Sequence, residues 1–136
     1  MRAAAEDLIR RYYQAFNAGD DAGLLALLHP EVAHDINQGG RETGRQAFAR
    51  FLAHMRQCYA ERVEDLVLLN AADGRHVAAE FRVAGCYLKQ DGDLPPAGGQ
   101  PYDLPVGAFF ELRDGLIARV TTYYNLADWL RQVTAR

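Results

Sequence analysis

The sequence predicts an α+β domain in which helices gather on one side of a bent antiparallel sheet, and three observations predict it. Apolar residues recur at helical spacing up to Tyr59. From Val63 onward the period changes to two. Three Asp-Gly pairs, Asp73-Gly74, Asp91-Gly92 and Asp114-Gly115, punctuate this second half as hairpin turns. Helices followed by a run of strands is the order of a sheet with its helices segregated to one face. The concave side of such a sheet, closed by the helices, is expected to enclose an apolar pocket.

The first helix carries Leu8, Tyr12, Ala15 and Phe16 on one face. Gly19 is placed to end it in a left-handed turn, and Asp20 to cap the next. The second helix, with Leu24, Leu25, Leu27 and Leu28, should stop before His29-Pro30, because a residue preceding proline avoids helical dihedrals. Glu31 to Asn37 reads as a short strand, followed by the loop Gln38-Gly39-Gly40. Thr43 and Gln46 form a capping-box signature, opening a third helix whose stripe is Phe48, Phe51, Leu52, Met55 and Tyr59. Strands are predicted at about 63–71, 75–88, 102–112 and 116–124, a four-stranded meander. Its middle connection, with Pro95, Pro96, Gly98, Gly99 and Pro101, is a longer loop that would serve as a lid. Asn125 and Asp128 open a terminal helix with Leu126, Trp129, Leu130 and Val133 as its apolar face.

With 136 residues the chain fits one domain, 1–136. Fifteen Lys and Arg against eighteen Asp and Glu leave a net charge of −3 and no basic run. Nucleic acid and an anionic membrane are therefore not expected partners. Cys58 and Cys86 have no metal-type spacing and read as thiols in a reducing compartment, which predicts a cytoplasmic protein. Charges at Arg2, Glu6, Asp7, Arg10 and Arg11 leave no apolar stretch for a signal peptide. His54 and Cys58 share a helix face, but with no third ligand nearby in sequence no metal site is predicted.

The segment from Arg11 to Asp20, RYYQAFNAGD, resembles the first helix of SnoaL-like and ketosteroid isomerase-related proteins of the nuclear transport factor 2-like superfamily. Leu94 to Gln100 running into Phe109 to Ile117 is similar to a second stretch of SnoaL-like proteins. Tyr123-Tyr124-Asn125 with Asp128-Trp129 is a third match. The resemblance implies a cone-shaped sheet wrapped over three N-terminal helices, and a homodimer built on the convex face with Tyr123, Arg82 and Arg119. It also implies catalytic roles: Tyr12 at the oxyanion-hole position and Asp35, with one gap, at the carboxylate base. The family's second oxyanion donor falls near Gly107 or Ala108, which have no donating side chain, and Leu28 and Leu52 stand where supporting tyrosines would be. Isomerisation of a steroid is therefore not expected.

On an alternating strand Ala33, Asp35 and Asn37 share one face and His34 and Ile36 the other. Asp35 facing a pocket would have its pKa raised by burial, which suits a general base, while the alternative is an Asp that caps the following loop. Asn37 would orient a substrate or, equally, cap the loop. His34 reads as a surface or inter-subunit histidine rather than a catalyst, although, being adjacent to Asp35, it would exchange roles with it under a different strand twist. Tyr12 is either a carbonyl-bonded structural tyrosine or a ligand-facing phenol. The expected walls are Phe16, Phe51, Met55, Phe81, Phe110, Val120, Thr122 and Tyr124, with Tyr123 outward. Glu80 and Arg82 belong to the convex face. The leading expectation is an acid–base enzyme of isomerase or cyclase kind, using no metal or organic cofactor, on a small, largely apolar carbonyl compound. The rival is a non-catalytic small-molecule-binding or protein-interaction domain. An epoxide hydrolase ranks last, because no second pocket Asp lies beside an Arg.

Overall fold

The computed structural model describes residues 2–134. In chain order these form α1 (Arg2–Ala18), α2 (Asp21–Ala26), β1 (Leu28–Asp35), β2 (Arg41–Thr43), α3 (Arg45–Cys58), β3 (Tyr59–Asn70), β4 (His76–Tyr87), β5 (Gln100–Arg113), β6 (Leu116–Tyr124) and α4 (Leu126–Thr134). The six strands make one curved sheet in the order β2-β1-β6-β5-β4-β3. The α+β class is as the sequence predicts, but the sheet is mixed. β1 runs parallel to β6, with Ala33, His34 and Asp35 opposite Arg119, Val120 and Thr121. The meander β3 to β6 is antiparallel throughout. No helix among the described residues is long and apolar enough to cross a membrane.

Three local expectations are corrected. The second helix ends at Ala26, not at Leu28. Leu28 is already a strand residue opposite Ile117, and both are fully buried. Burial against β6 outweighs helix propensity there, and Pro30 is accommodated where the β1–β6 register breaks between Leu28 and Ala33. The Thr43–Gln46 capping box does not form. Thr43 pairs with Ala33 in β2, and Gly44, at φ 105°, is the N-cap residue of α3 without a side-chain cap. β3 begins at Tyr59, immediately after α3, because it pairs with β4 from Tyr87 back. The Asp114-Gly115 turn has positive φ at both residues, 56° and 73°, as a tight hairpin of that composition requires.

The concave face of the sheet carries Val77, Ala79, Phe81, Val83 and Tyr87 of β4 and Tyr102, Leu104, Val106, Ala108 and Phe110 of β5, all buried. Helix α1 packs into it through Tyr12 and Tyr13, whose rings meet Phe110 at 5.4 and 5.9 Å and, for Tyr13, Phe81 at 4.9 Å. Helix α4 closes the other end with Trp129 against Tyr87 and Tyr102. Side-chain amides complete the backbone ladder where strands lack a neighbour. Asn17 exchanges both hydrogen bonds with the Val63 peptide, Gln132 does so with Asp103, and Asn37 with Tyr124. Pro101 and Pro105 flank Asp103 beyond the last β5–β6 pair, Val106 with Tyr124, so their missing N–H groups cost no rung.

One glycine on the concave face is required by packing. Glu61, Gly85 and Tyr102 lie in a row across β3, β4 and β5. A Cβ on Gly85 would stand 2.6 Å from the Tyr102 ring. The tyrosine thus lies over Gly85 and reaches Glu61, its hydroxyl donating to Oε2 at 2.6 Å. Gly85→Ala is expected to lower stability by about 1–3 kcal/mol, the usual cost of overpacking. Urea unfolding measures it, and an unchanged midpoint would show that Tyr102 does not depend on this space.

Candidate functional site

Strand β1 presents two chemistries on two faces, and its phase is the reverse of the expected one. Val32 and His34 are buried on the concave side, whereas Asp35 lies on the convex side. The apolar alternation Val32, His34, Ile36 is the signal that points this way; it favours turning His34 inward, because the other phase would bury Asp35 and expose Val32.

Asp35 is held in a charge network across the convex face. It accepts from Arg41 Nε and Nη2 at 2.6 and 3.0 Å and from the Thr121 hydroxyl at 2.6 Å. Thr121 accepts from Arg119 at 2.6 Å, Arg119 donates to Glu111 at 2.5 Å, and Glu111 meets His76, which bonds Asp73. The hydrogen bonds from Arg41 and then Thr121 hold the Asp35 carboxyl down at about 2. It is ionised, paired and outside the cone, so it does not line a pocket as a base. Asn37 is also committed elsewhere, since its amide is spent on the Tyr124 backbone.

His34 takes the inward position. It is 5% exposed, its ring lies 4.5 Å from both Phe48 and Phe51 of α3, and its Nδ1 is buried without a hydrogen-bond partner among the described residues. Burial lowers its pKa, more than Glu42 and Asp35 restore it, so the ring is neutral. Tyr12 is buried against Phe110, and burial pushes its pKa up, keeping the phenol protonated.

Among the remaining expected walls, Val120 and Thr122 face inward beside Phe110 and Ala108, and Tyr124 faces inward opposite Val106, with Tyr123 outward. Phe51 meets His34, while Phe81 and Phe110 are packed into the aromatic floor with Tyr12 and Tyr13. Phe16 and Met55 are half-buried, the former under the Arg56 guanidinium at 4.7 Å. These rings fill the concavity near α1. The described cavities lie elsewhere: a trough of about 750 Å³ at Ala60, Ala84, Cys86, Tyr102 and Gln132, and a cleft of about 1000 Å³ at Asp7, Arg11, His76, Glu111 and Arg119.

Two features were missed from sequence. Glu61, on the concave face of β3, has its pKa raised by burial against the opposing pull of Tyr102 and Arg56. It alternates with Tyr59 and Val63, an apolar phase that could have marked it as inward. Asp91, in the loop 88–99, is tied to α3 and β3: it accepts from the Tyr59 hydroxyl at 2.7 Å and meets His54 Nε2 at 2.7 Å. Nothing local in the sequence signals that contact.

The profile of a family described as SnoaL-like domain matches residues 9–120. A crystal structure from Pseudomonas putida KT2440, provisionally described as a polyketide cyclase, is 55% identical; the match covers 96% of this chain and 98% of that one, with a TM-score of 0.94. Another with the same provisional description, from Xanthomonas campestris pv. campestris, is 51% identical over 98% of both chains, also at 0.94. An NTF2-like protein from Burkholderia pseudomallei K96243, 17% identical over 97% of this chain and 98% of that one, shares the fold at 0.82. No curated protein matches the chain.

The convex placement of Asp35 has a measurable consequence. Because its folded pKa is depressed, its stabilising contribution is whole above about pH 4 and fades as the pH falls toward 2. Asp35→Asn should cost about 1 kcal/mol at pH 7, the scale of a half-exposed ion pair. The difference from the parent chain should shrink below pH 4. Denaturation curves between pH 2 and 7 test this, and a variant more stable than the parent at pH 7 would return Asp35 to the interior.

Proposed function

The chain belongs to the SnoaL-like domain family, and from that premise we propose that it is a cofactor-independent acid–base enzyme of cyclase or isomerase type, acting on a small, largely apolar carbonyl compound. The observation that carries the reading is His34. A buried, unpartnered ring nitrogen costs roughly 1–3 kcal/mol of stability, and a phenylalanine between Phe48 and Phe51 would avoid that cost. A ligand that hydrogen-bonds the imidazole gives the site a purpose. The family and the provisional polyketide cyclase description of its relatives supply the reaction class.

In this reading the neutral imidazole of His34 removes a proton from the carbon next to a substrate carbonyl. The Tyr12 phenol, protonated because burial disfavours its anion, donates to the enolate oxygen as charge develops. The enolate carbon then attacks a second carbonyl of the same molecule, closing a ring, or is reprotonated at a different carbon by the imidazolium. The proton returns to substrate, and no electrons are exchanged with any cofactor. Ligand entry in this reading passes the half-buried side chains of Phe51 and Tyr124.

The test is exchange of α-hydrogens for deuterium in a panel of cyclic enones and β-diketones, followed by NMR. Wild type should exchange at least one of them, and His34→Gln should be slower by roughly a hundredfold or more. Equal rates in both would remove His34 from the chemistry, and binding of an equilenin-type phenol without any exchange would favour a binding domain. His34→Phe should be as stable as the parent or more so. A histidine with a depressed folded pKa stabilises fully above its unfolded value near 6.5 and loses that contribution as the pH falls toward the folded value. The stability gain of His34→Phe should therefore widen below pH 6.5.

The apolar strip on the convex face supports a homodimer as part of this reading. Val67, Leu69, Phe109 and Tyr123 are 44–60% exposed there, with Phe109 and Tyr123 rings 5.9 Å apart. A second copy of this chain, laid on the same strip about a two-fold axis, would cover it. Light scattering at micromolar concentration should give the dimer mass, and Tyr123→Asp the monomer mass; a monomeric parent chain rejects the assignment.

A further inference from the structure

We propose that His54, Cys58 and Asp91 form a binding site for a divalent transition metal of borderline softness, with Zn²⁺ the best fit, and that the metal fastens the loop 88–99 to the end of α3. His54 and Cys58 are one turn apart on α3 and project from the same face. Asp91 comes from the loop between β4 and β5, 33 residues beyond Cys58, and so escapes any reading of local spacing. His54 Nε2 stands 2.7 Å from an Asp91 oxygen and 3.9 Å from Cys58 Sγ, and the three donor atoms all lie within 4.8 Å of one another.

A tetrahedral zinc has bonds of about 2.3 Å to sulfur and about 2.0 Å to nitrogen and oxygen. Those lengths put neighbouring donors roughly 3.3–3.6 Å apart. The sulfur–nitrogen separation is already close to that. The nitrogen–oxygen pair needs to open by about half an ångström, exchanging its hydrogen bond for two metal bonds. Thiolate with imidazole suits zinc and excludes magnesium and calcium, which take oxygen ligands.

The surroundings are those of a metal carboxylate. The Tyr59 hydroxyl holds the second Asp91 oxygen at 2.7 Å, leaving the first aimed at His54, and the Asp91 backbone N–H donates to the Tyr87 hydroxyl at 3.0 Å. Such outer hydrogen bonds fix a ligand's orientation before the ion arrives. His54 is exposed and gives the ion a path from solvent, whereas Cys58 is buried beneath it. Three protein ligands leave a fourth position for water. The burial that raises the Cys58 thiol pKa is offset once a dication is bound. The ion is a clasp between helix and loop, separate from the proton transfer proposed at His34.

The experiment is titration of chelator-treated full-length protein with Co²⁺. One equivalent should produce a near-ultraviolet thiolate charge-transfer band and visible d–d bands of tetrahedral cobalt, both erased by Zn²⁺. Cys58→Ser should lose the charge-transfer band, while Cys86→Ser keeps it. His54→Ala changes an exposed residue and leaves folding out of question; it and Asp91→Asn should each weaken binding roughly tenfold or more. Zinc should also slow proteolysis of the loop in the parent chain and not in His54→Ala. Absence of a charge-transfer band at millimolar Co²⁺, its persistence in Cys58→Ser, or binding unchanged in His54→Ala overturns the site. None of these readouts depends on activity, so loss of the acid–base reading would leave the metal result standing.

Discussion

Strand β1 runs parallel to β6, and the register of that pairing governs which side chains the interior receives. Leu28 is fixed opposite Ile117 in the core, the ladder then breaks, and it resumes with Ala33 opposite Arg119. Leu28, Val32 and His34 lie at even spacing and share the buried face of β1, with Asp35 on the other, and the break around Pro30 lets that alternation meet β6 at both Leu28–Ile117 and His34–Val120. Had the ladder resumed one residue later, the carboxylate would enter an aromatic shell with no cation to meet it, and Arg41 would lose its partner. The outward pairing of Asp35 with Arg41 and Thr121 and the inward packing of His34 on Phe48 and Phe51 are two sides of one choice.

The two faces treat ionisable groups in opposite ways. On the convex face, Arg41 and Arg119 hold Asp35 and Glu111 below their ordinary pKa values. On the concave face burial dominates, raising Glu61 and Tyr12 and lowering His34. Each of the inner shifts moves its group toward the uncharged form. An interior of that kind accepts a neutral molecule without bringing in a counter-ion, and it keeps groups that can exchange a proton from being locked as ions.

Much of the fold was legible because periodicity and turn chemistry are local. The α1 stripe, the change of period near Val63 and the Asp-Gly turns follow from a residue's immediate neighbours. What was not legible depends on partners far along the chain. Leu28 joins a strand only because Ile117 is waiting for it, and Thr43 abandons a helix cap to pair with Ala33. At the site, the alternation along β1 could be read, but assigning its inward phase from a resemblance placed Asp35 where the apolar residues Val32 and Ile36 indicate His34. Glu61 was hidden differently. A charged residue on a strand ordinarily faces water, and only the space left by Gly85 brings the Tyr102 hydroxyl to it.

The three amide side chains that bond to strand backbones bear on how this protein behaves in a crowded solution. β3 is an outer strand of the sheet, and β5 runs past the end of β6. Open peptide groups at such places are templates for an incoming strand from another molecule. An amide side chain carries the same donor and acceptor as a peptide, so Asn17 at Val63, Gln132 at Asp103 and Asn37 at Tyr124 occupy those templates from within the chain. Replacing one of them by its carboxylate would remove the donor and set a negative charge against the peptide carbonyl it had bonded. The peptide carbonyl set free would then be open to a strand from another molecule, trading a bond within the chain for one between chains.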